Sequence, residues 1–353
     1  MPGPSPDLYR HILRPLLFRL PPESAQRMAE VFLRRRLLWR AVAPALRVQD
    51  PKLNLDWCGV RLQNPVGLAA GLDKDCRMLP SLSSWGFGYL VAGTVTEGPR
   101  PGNPKPRMFR YAGQQSLINA LGFPGKGLEW AARQLERARP ALRGTPVAVS
   151  ISGTAADEIV RCHRRLEPLV DAIELNISSP NMEGLRVFHE PSTLAGLLGR
   201  INAGRTKPLL VKLPPYPAPS ASEPSAEGAR AQVLSLVRVC ADNGVDGLTV
   251  ANSRPMKDAR LAVGMGGLSG RAVFPDTLRM VKEVRDEAGS RLAINACGGI
   301  SSGDDAWKAL QAGADTVQLY TGIVYQGPSV VRQINRRLLD IMARDGVESL
   351  RSA

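Results

Sequence analysis

The stretch LLVKLPPYPAPSASEPSAEGARAQVLSLVRVCADNGVDGLTVANS (209–253) contains one complete unit of the fold. It opens with an apolar run, Leu209–Lys212, and closes near another, Gly247–Ala251. Both have the length and Leu/Val content of buried strands. The Pro- and Ser-rich part, 214–225, cannot form regular structure and reads as an exposed insertion, after which a helical stretch leads to the second run. Strand, helix, strand in this order is a parallel βαβ unit. The alternation recurs from residue 64 onward, with further runs at Pro65–Ala69, Tyr89–Gly93, Val147–Ile151, Ala172–Asn176, Leu292–Ala296 and Thr316–Tyr320. A doubly wound open sheet usually has about five or six such strands. Eight predict an α/β fold closed into a (β/α)8 TIM barrel, with a short helical extension before it.

The expected division is a helical segment over 1–48, a barrel over 49–345 and a tail over 346–353. In the first segment Leu8, Ile12, Leu13, Leu16, Leu17 and Leu20 recur at helical spacing with Arg10, Arg14 and Arg19 between them. Pro21-Pro22 ends that amphipathic helix, and a second is expected from Glu23 to Arg40. Read blandly, this is a hairpin packed on the barrel with a solvated charged face; read more sharply, it is a pair of interfacial helices among anionic headgroups. The net charge of +14 does not choose between nucleic acid, membrane and anionic substrate, but nine Arg against four acids lie in residues 1–50. No run of about 18 apolar residues exists to span a bilayer. Five cysteines without CxxC spacing predict free thiols, and three histidines without metal-ligand spacing give a metal no support. The stretch from Glu97 to about Leu121 is expected to cover part of the barrel mouth.

A barrel of this kind works at the ends of its strands. Strand one runs into Ala70-Gly71-Leu72-Asp73-Lys74-Asp75, strand two into Thr94, strand four into Asn176-Ile177-Ser178-Ser179-Pro180-Asn181, strand five into Lys212, and strand six into Asn252-Ser253. Gly266-Gly267-Leu268-Ser269-Gly270, Gly298-Gly299 and Tyr320-Thr321-Gly322 follow on the late loops. Each glycine pair alone could be a tight turn; together they suit a phosphate held by backbone N–H groups. Asn119, Asn176, Asn181 and Asn252 flank the same mouth, and their paired donors and acceptors suit a planar ring bearing carbonyls and N–H groups. Lys212 ends an apolar strand and so expects a negative partner. His163 lies among charged residues and reads as solvated, His189 receives no catalytic role, and Asp73 and Asp75 read as turn and ion-pair residues.

The runs NPVGLAAGLDKD (64–75), GFGYLVAGTVT (86–96), RPGNPKPRMFR (100–110), LINALGF (117–123), LNISSPN (175–181), GGLSGR (266–271), CGGI (297–300) and QLYTG (318–322) occur in order. In them the chain resembles the dihydroorotate dehydrogenases of the second, quinone-dependent class, from about residue 8 to 340. The resemblance implies FMN across the barrel mouth, near Ala70, Gly71, Leu72, Asp73, Lys74, Thr94, Ser150, Asn176, Lys212, Ala251, Gly270, Gly299, Tyr320 and Thr321. It implies dihydroorotate, to be released as orotate, against Lys74, Asn119, Ala120, Leu121, Gly122, Phe123, Asn176, Asn181, Asn252 and Ser253. In that family the serine matching Ser179 takes a proton from C5 while a hydride leaves C6 for flavin N5, and first-class relatives carry Cys there. Electrons would then pass to a membrane quinone reached through the N-terminal helices. The implied location is peripheral, on the cytoplasmic side of the cell membrane, as a monomer or weak oligomer with no nucleic-acid partner.

Four positions depart from the family pattern. Ser150 opens the run SISGT (150–154), where the family has an Asn-containing run touching the flavin; Ala251 replaces a threonine, Ala120 an arginine, and Met182 a threonine implicated in proton relay. They raise the alternative of a degenerate FMN- or orotate-binding protein with low turnover. An RNA-modifying flavin barrel such as a dihydrouridine synthase would explain the basic charge, but neither its catalytic cysteine loop nor its RNA-binding domain is evident.

Overall fold

The computed structural model describes residues 8–142, 144–179, 184–218 and 225–350. In chain order the strands are β1 (Leu55–Trp57), β2 (Val60–Leu62), β3 (Val66–Leu68), β4 (Tyr89–Val95), β5 (Met108–Tyr111), β6 (Ser116–Asn119) and β7 (Val147–Ile151). They continue as β8 (Ala172–Asn176), β9 (Leu209–Lys212), β10 (Gly247–Val250), β11 (Arg254–Lys257), β12 (Met265–Gly270), β13 (Ala293–Cys297) and β14 (Thr316–Leu319). Strands β3, β4, β7, β8, β9, β10, β13 and β14 pair in parallel and close into a barrel. They are the eight apolar runs of the sequence, with ends displaced by at most two residues. Their residues are buried almost throughout, which is why they read as continuous apolar runs rather than alternating ones.

The barrel interior departs from the usual filling of branched aliphatic side chains. Tyr89, Ser150, Glu174, Thr249, Asn295 and Thr316 are at most 1% exposed and lie on six of the eight strands. The Tyr89 and Thr316 hydroxyls are 2.8 Å apart, Thr316 donates to Asn295 Oδ1 at 2.6 Å, and Thr249 donates to Glu174 at 2.8 Å. Below them the β1–β2 hairpin inserts Trp57, whose ring stacks on Tyr89 at 4.4 Å and whose indole N–H donates to Asn295 Oδ1 at 2.7 Å. The hairpin thus closes one end of the barrel.

A second sheet lies outside the barrel, antiparallel, in the order β11-β12-β6-β5. It contains part of the stretch from Glu97 to about Leu121 expected to cover the barrel mouth. Its central pairing joins Leu117 to Ser269, and no local pattern reveals a strand whose partner lies so far along the chain.

At the N-terminus a π-helical turn, Tyr9–Leu13, runs into α1 (Arg14–Phe18), followed by α2 (Pro22–Leu33) and α3 (Arg36–Leu46). The single helix expected over Glu23–Arg40 is therefore two, broken at Arg35, whose ψ of 68° is not helical. The break lets both pieces turn an apolar face inward. Leu33, Ala43 and Leu46 are buried, and Trp39 packs on Trp85 at 5.0 Å. Phe18 meets Tyr325 edge-on at 5.4 Å under the Arg110 guanidinium, and Tyr9 donates to the Val324 carbonyl at 2.8 Å.

His163 is not solvated. In α4 (Ala156–Leu166) it shares the inner face with Ile159, Cys162 and Leu166 at helical spacing, and burial pushes its imidazole pKa down. The charged neighbours that suggested exposure occupy the outer face.

Candidate active site

The barrel mouth holds an open cavity of about 1170 Å³, counting the part continuous with solvent. Parallel strands bring their C-terminal ends to one side, so residues far apart in sequence converge there. Ala70, Gly71 and Lys74 line it from the turn after β3, Thr94 from β4, Asn176 and Ser179 from the end of β8, Lys212 from β9, and Ala251, Asn252 and Ser253 from the turn after β10. Gly270 ends β12, Gly299 follows β13, and Tyr320 and Thr321 follow β14. The outer sheet and the loop behind it contribute Asn119, Leu121, Gly122 and Phe123.

Four expected residues do not line the cavity. Leu72 and Asp73 face a neighbouring charged pocket beneath α2. The Asp73 carboxylate is turned into the chain, accepting from the backbone N–H groups of Arg77 and Met78, both at 2.7 Å. Ser150 is fully buried behind Thr94, with the two hydroxyls 3.0 Å apart. Ala120 points to the opposite face of the outer sheet, into a small cluster with Ile118 and Leu261. The alanine in place of the family's arginine thus takes no charge out of the cavity wall. Asn181 and Met182 lie outside the described residues.

The geometry also adds residues to which the sequence reading gave no part. Met108, Leu117, Val273, Ile300, Cys297 and Gln318 line the cavity, and Ser269 holds Thr321 through hydroxyls 2.9 Å apart. Strand periodicity could have found Cys297 and Gln318, because each lies two residues after a polar position that faces the barrel interior, Asn295 and Thr316.

A tight amide network supports the wall. Asn176 Oδ1 accepts from the backbone N–H and hydroxyl of Ser178 and from Asn252 Nδ2 at 3.2, 3.1 and 3.3 Å, while its own Nδ2 donates to Thr94 at 3.2 Å. Asn252 also donates to Ser178 Oγ at 3.0 Å. These bonds fix the turn that carries Ser179, which is half-buried on the cavity wall. His189 anchors the same turn from behind, its Nε2 lying 2.8 Å from the Ile177 carbonyl.

Three features fit an elongated anionic ligand. Lys212 is 5% exposed, and among the described residues it meets no carboxylate; its ammonium lies 3.8 Å from Cys297 Sγ, a thiol whose pKa burial pushes up, leaving it neutral at pH 7. Gln318 is 2% exposed and lines the cavity beside the Tyr89 hydroxyl, and among the described residues neither end of its amide is in full hydrogen-bond geometry with a partner. The turns at Gly270 (φ +96°) and Gly299 (φ +75°) require glycine, because an added Cβ would lie 2.5 Å from the Gln115 carbonyl oxygen or 2.6 Å from Phe274 Cβ. Both turns pack where α5 (Phe274–Ala288) and α6 (Thr321–Gln326) begin. Across the mouth Lys74 donates to the Gly71 carbonyl at 2.6 Å, and burial pulls its ammonium below the ordinary lysine range.

A family model for dihydroorotate dehydrogenase matches residues 52–342. The chain belongs to the dihydroorotate dehydrogenase family. Its curated relatives include proteins named dihydroorotate dehydrogenase (quinone) from Chloroflexus aurantiacus, 40% identical over 94% of this chain and 96% of the relative. One from Thermus thermophilus is 38% identical over 95% and 97%, and one from Mycobacterium tuberculosis 36% over 97% and 96%. Among solved structures, the dihydroorotate dehydrogenase of Eimeria tenella in complex with ferulenol superposes with a TM-score of 0.77 at 29% identity, covering 89% of this chain and 92% of that one. As a member of this family the chain is an oxidoreductase of the quinone class, and the same barrel accounts for the fold likeness.

Proposed function

We propose that this chain oxidises dihydroorotate to orotate in pyrimidine synthesis, holding FMN in the barrel mouth and passing the electrons to a membrane quinone. The observation that carries the reading is the buried Lys212 ammonium, which among the described residues has no carboxylate in contact, set in one cavity with Ser179, Lys74 and the asparagines. A phosphate fits the glycine turns at Gly270 and Gly299 with Thr321, and the electron-rich edge of a flavin ring fits Lys212 and Gln318. When bound, FMN supplies the acceptor for hydride and the electron store for the second half-reaction.

The residues of the chain do the rest. Lys74 faces the carboxylate of dihydroorotate, while Asn119, Asn252 and Ser253, with Asn181, hold the ring amides through paired donors and acceptors. Ser179 removes the C5 proton as hydride departs from C6, so that the C5=C6 double bond forms. A hydroxyl is a weak base, and Ser179 must hand its proton on. Asn176 and Asn252 hold the preceding Ser178 and so fix the direction of the turn.

The quinone and membrane part rests on the N-terminal helices. Leu8, Ile12, Leu13, Leu16, Leu20, Met28, Val31, Phe32, Leu37 and Leu38 are all exposed, with Phe32 at 57% and Leu37 at 77%, and Arg34–Arg36 stand beside them. Such an apolar face rimmed by arginines fits a lipid surface, and no described helix is long and apolar enough to cross one. We place the chain peripherally on the cytoplasmic face. The absorbance spectrum of the purified protein tests the whole reading: a yellow protein that bleaches anaerobically with L-dihydroorotate supports it, whereas one that stays colourless after reconstitution with FMN, or yellow in the presence of substrate, overturns it.

A further inference from the structure

Glu174 has no part in the chemistry above, yet it is a carboxylate at 1% exposure inside the barrel. Among the described residues its Oε2 accepts one hydrogen bond, from Thr249 Oγ1 at 2.8 Å, and its Oε1 has no hydrogen-bond partner. One neutral hydrogen bond does not offset the desolvation of a buried carboxylate; a nearby cation does.

Lys212 poses the same problem with the opposite sign. The strand register sets the two charges together. Asn176, two residues after Glu174, pairs with Lys212 on one side of β9, and Thr249, which holds Glu174, pairs with Lys212 on the other. The Thr249–Glu174 hydrogen bond therefore passes across the inner face of β9, one layer below the ammonium. The two groups do not form a contact ion pair, but in a water-poor interior a charge acts well beyond contact distance. Burial pulls the Lys212 ammonium down, and Cys297 and Glu174 are the two neighbours whose negative charge would oppose that pull. Because burial keeps Cys297 a neutral thiol, the negative charge of the two is that of Glu174.

We propose that Glu174 is a positioning residue for the redox step: its carboxylate is the counter-charge that keeps Lys212 an ammonium at the flavin site, where that cation would favour the reduced ring over the oxidised one. The inference rests on the flavin reading above. It assigns a function to the polar filling of the barrel, because Thr249 and, behind it, Asn295 hold the carboxylate in place.

The test is the ratio of affinities for reduced and oxidised FMN, obtained from the midpoint potential of the bound flavin together with titration of apoprotein by oxidised FMN. Wild type, Glu174→Gln, Glu174→Asp, Lys212→Met and the Glu174→Gln/Lys212→Met double variant are compared. Glu174→Gln should lower the preference for reduced flavin by about tenfold or more, as Lys212→Met does, and should change little further in the Lys212→Met background, because both remove the same charge. Glu174→Asp should restore most of the preference. A potential that Glu174→Gln leaves unchanged or raises, or an effect that adds in full to that of Lys212→Met, overturns the proposal. If Glu174→Gln does not fold, a Glu174→Asp potential far from wild type overturns it equally, and one near wild type supports it. Failure of the underlying reading shows separately, as wild-type protein that binds no flavin.

Discussion

At the scale of single residues, Ser179 and Lys74 divide the work on the substrate. Ser179 stands on a turn held by the Asn176–Asn252 amides, so Ser179→Ala should leave bound flavin in place. Stopped-flow reduction by dihydroorotate should then slow by about two orders of magnitude or more, the usual effect of losing a positioned base; unchanged single-turnover reduction removes Ser179 from the mechanism. Lys74 binds an anion only while protonated, and burial depresses its pKa. KM for dihydroorotate should therefore rise with increasing pH as Lys74 deprotonates, below the ordinary lysine range. Lys74→Met should have a high KM without that rise, and a KM independent of pH in the wild type contradicts the assignment. Gly299 is limited by conformation: with φ at +75° and Phe274 against it, Gly299→Ala strains the turn by about 1–2 kcal/mol. FMN binding to apoprotein, followed by fluorescence quenching, should weaken about tenfold.

At the scale of elements, the N-terminal helices separate docking from support. Leu33, Ala43 and Leu46 turn inward to the barrel, while Phe32, Leu37 and Leu38 turn outward. An outward apolar side chain that enters lipid gains about 1.5–3 kcal/mol. The double substitution Phe32→Glu/Leu37→Glu should therefore lower binding to anionic vesicles by at least about tenfold, and slow turnover with long-chain quinones while reduction of flavin by dihydroorotate is unchanged. Equal vesicle binding by variant and wild type removes these helices as the membrane surface. The outer sheet divides its faces in the same way. Asn119 faces the cavity whereas Ala120, the next residue, faces the Ile118–Leu261 cluster, as the two-residue period of a strand requires.

At the scale of the whole molecule, a polar barrel interior needs a closed end. Trp57 provides it by stacking on Tyr89 and donating to Asn295. Trp57→Ala would leave a cavity and remove one of the two hydrogen bonds that Asn295 Oδ1 accepts, and should lower the unfolding free energy in urea by about 3–5 kcal/mol. The loss should be much smaller if the hairpin merely lies against the barrel. Because Trp57 closes the end away from the mouth, retention of FMN by the folded variant should be close to normal.

The sequence by itself determined the eight barrel strands, the turns that carry the mouth, and the motif residues, because strand burial and turn chemistry are local and leave their mark in consecutive residues. Its limits are equally physical. The outer sheet pairs β6 with β12 across some 150 residues, so its strands and the inward or outward sense of Asn119 and Ala120 appear only once the chain has closed. His163 looked solvated because charge is written along the chain while burial depends on which face of α4 meets the barrel. Tertiary structure likewise decided that Leu72, Asp73 and Ser150 stand behind the cavity wall and that Cys297 and Gln318 line it. It alone placed Glu174 below Lys212, since side chains on strands β8 and β9 share an interior only after the barrel is complete.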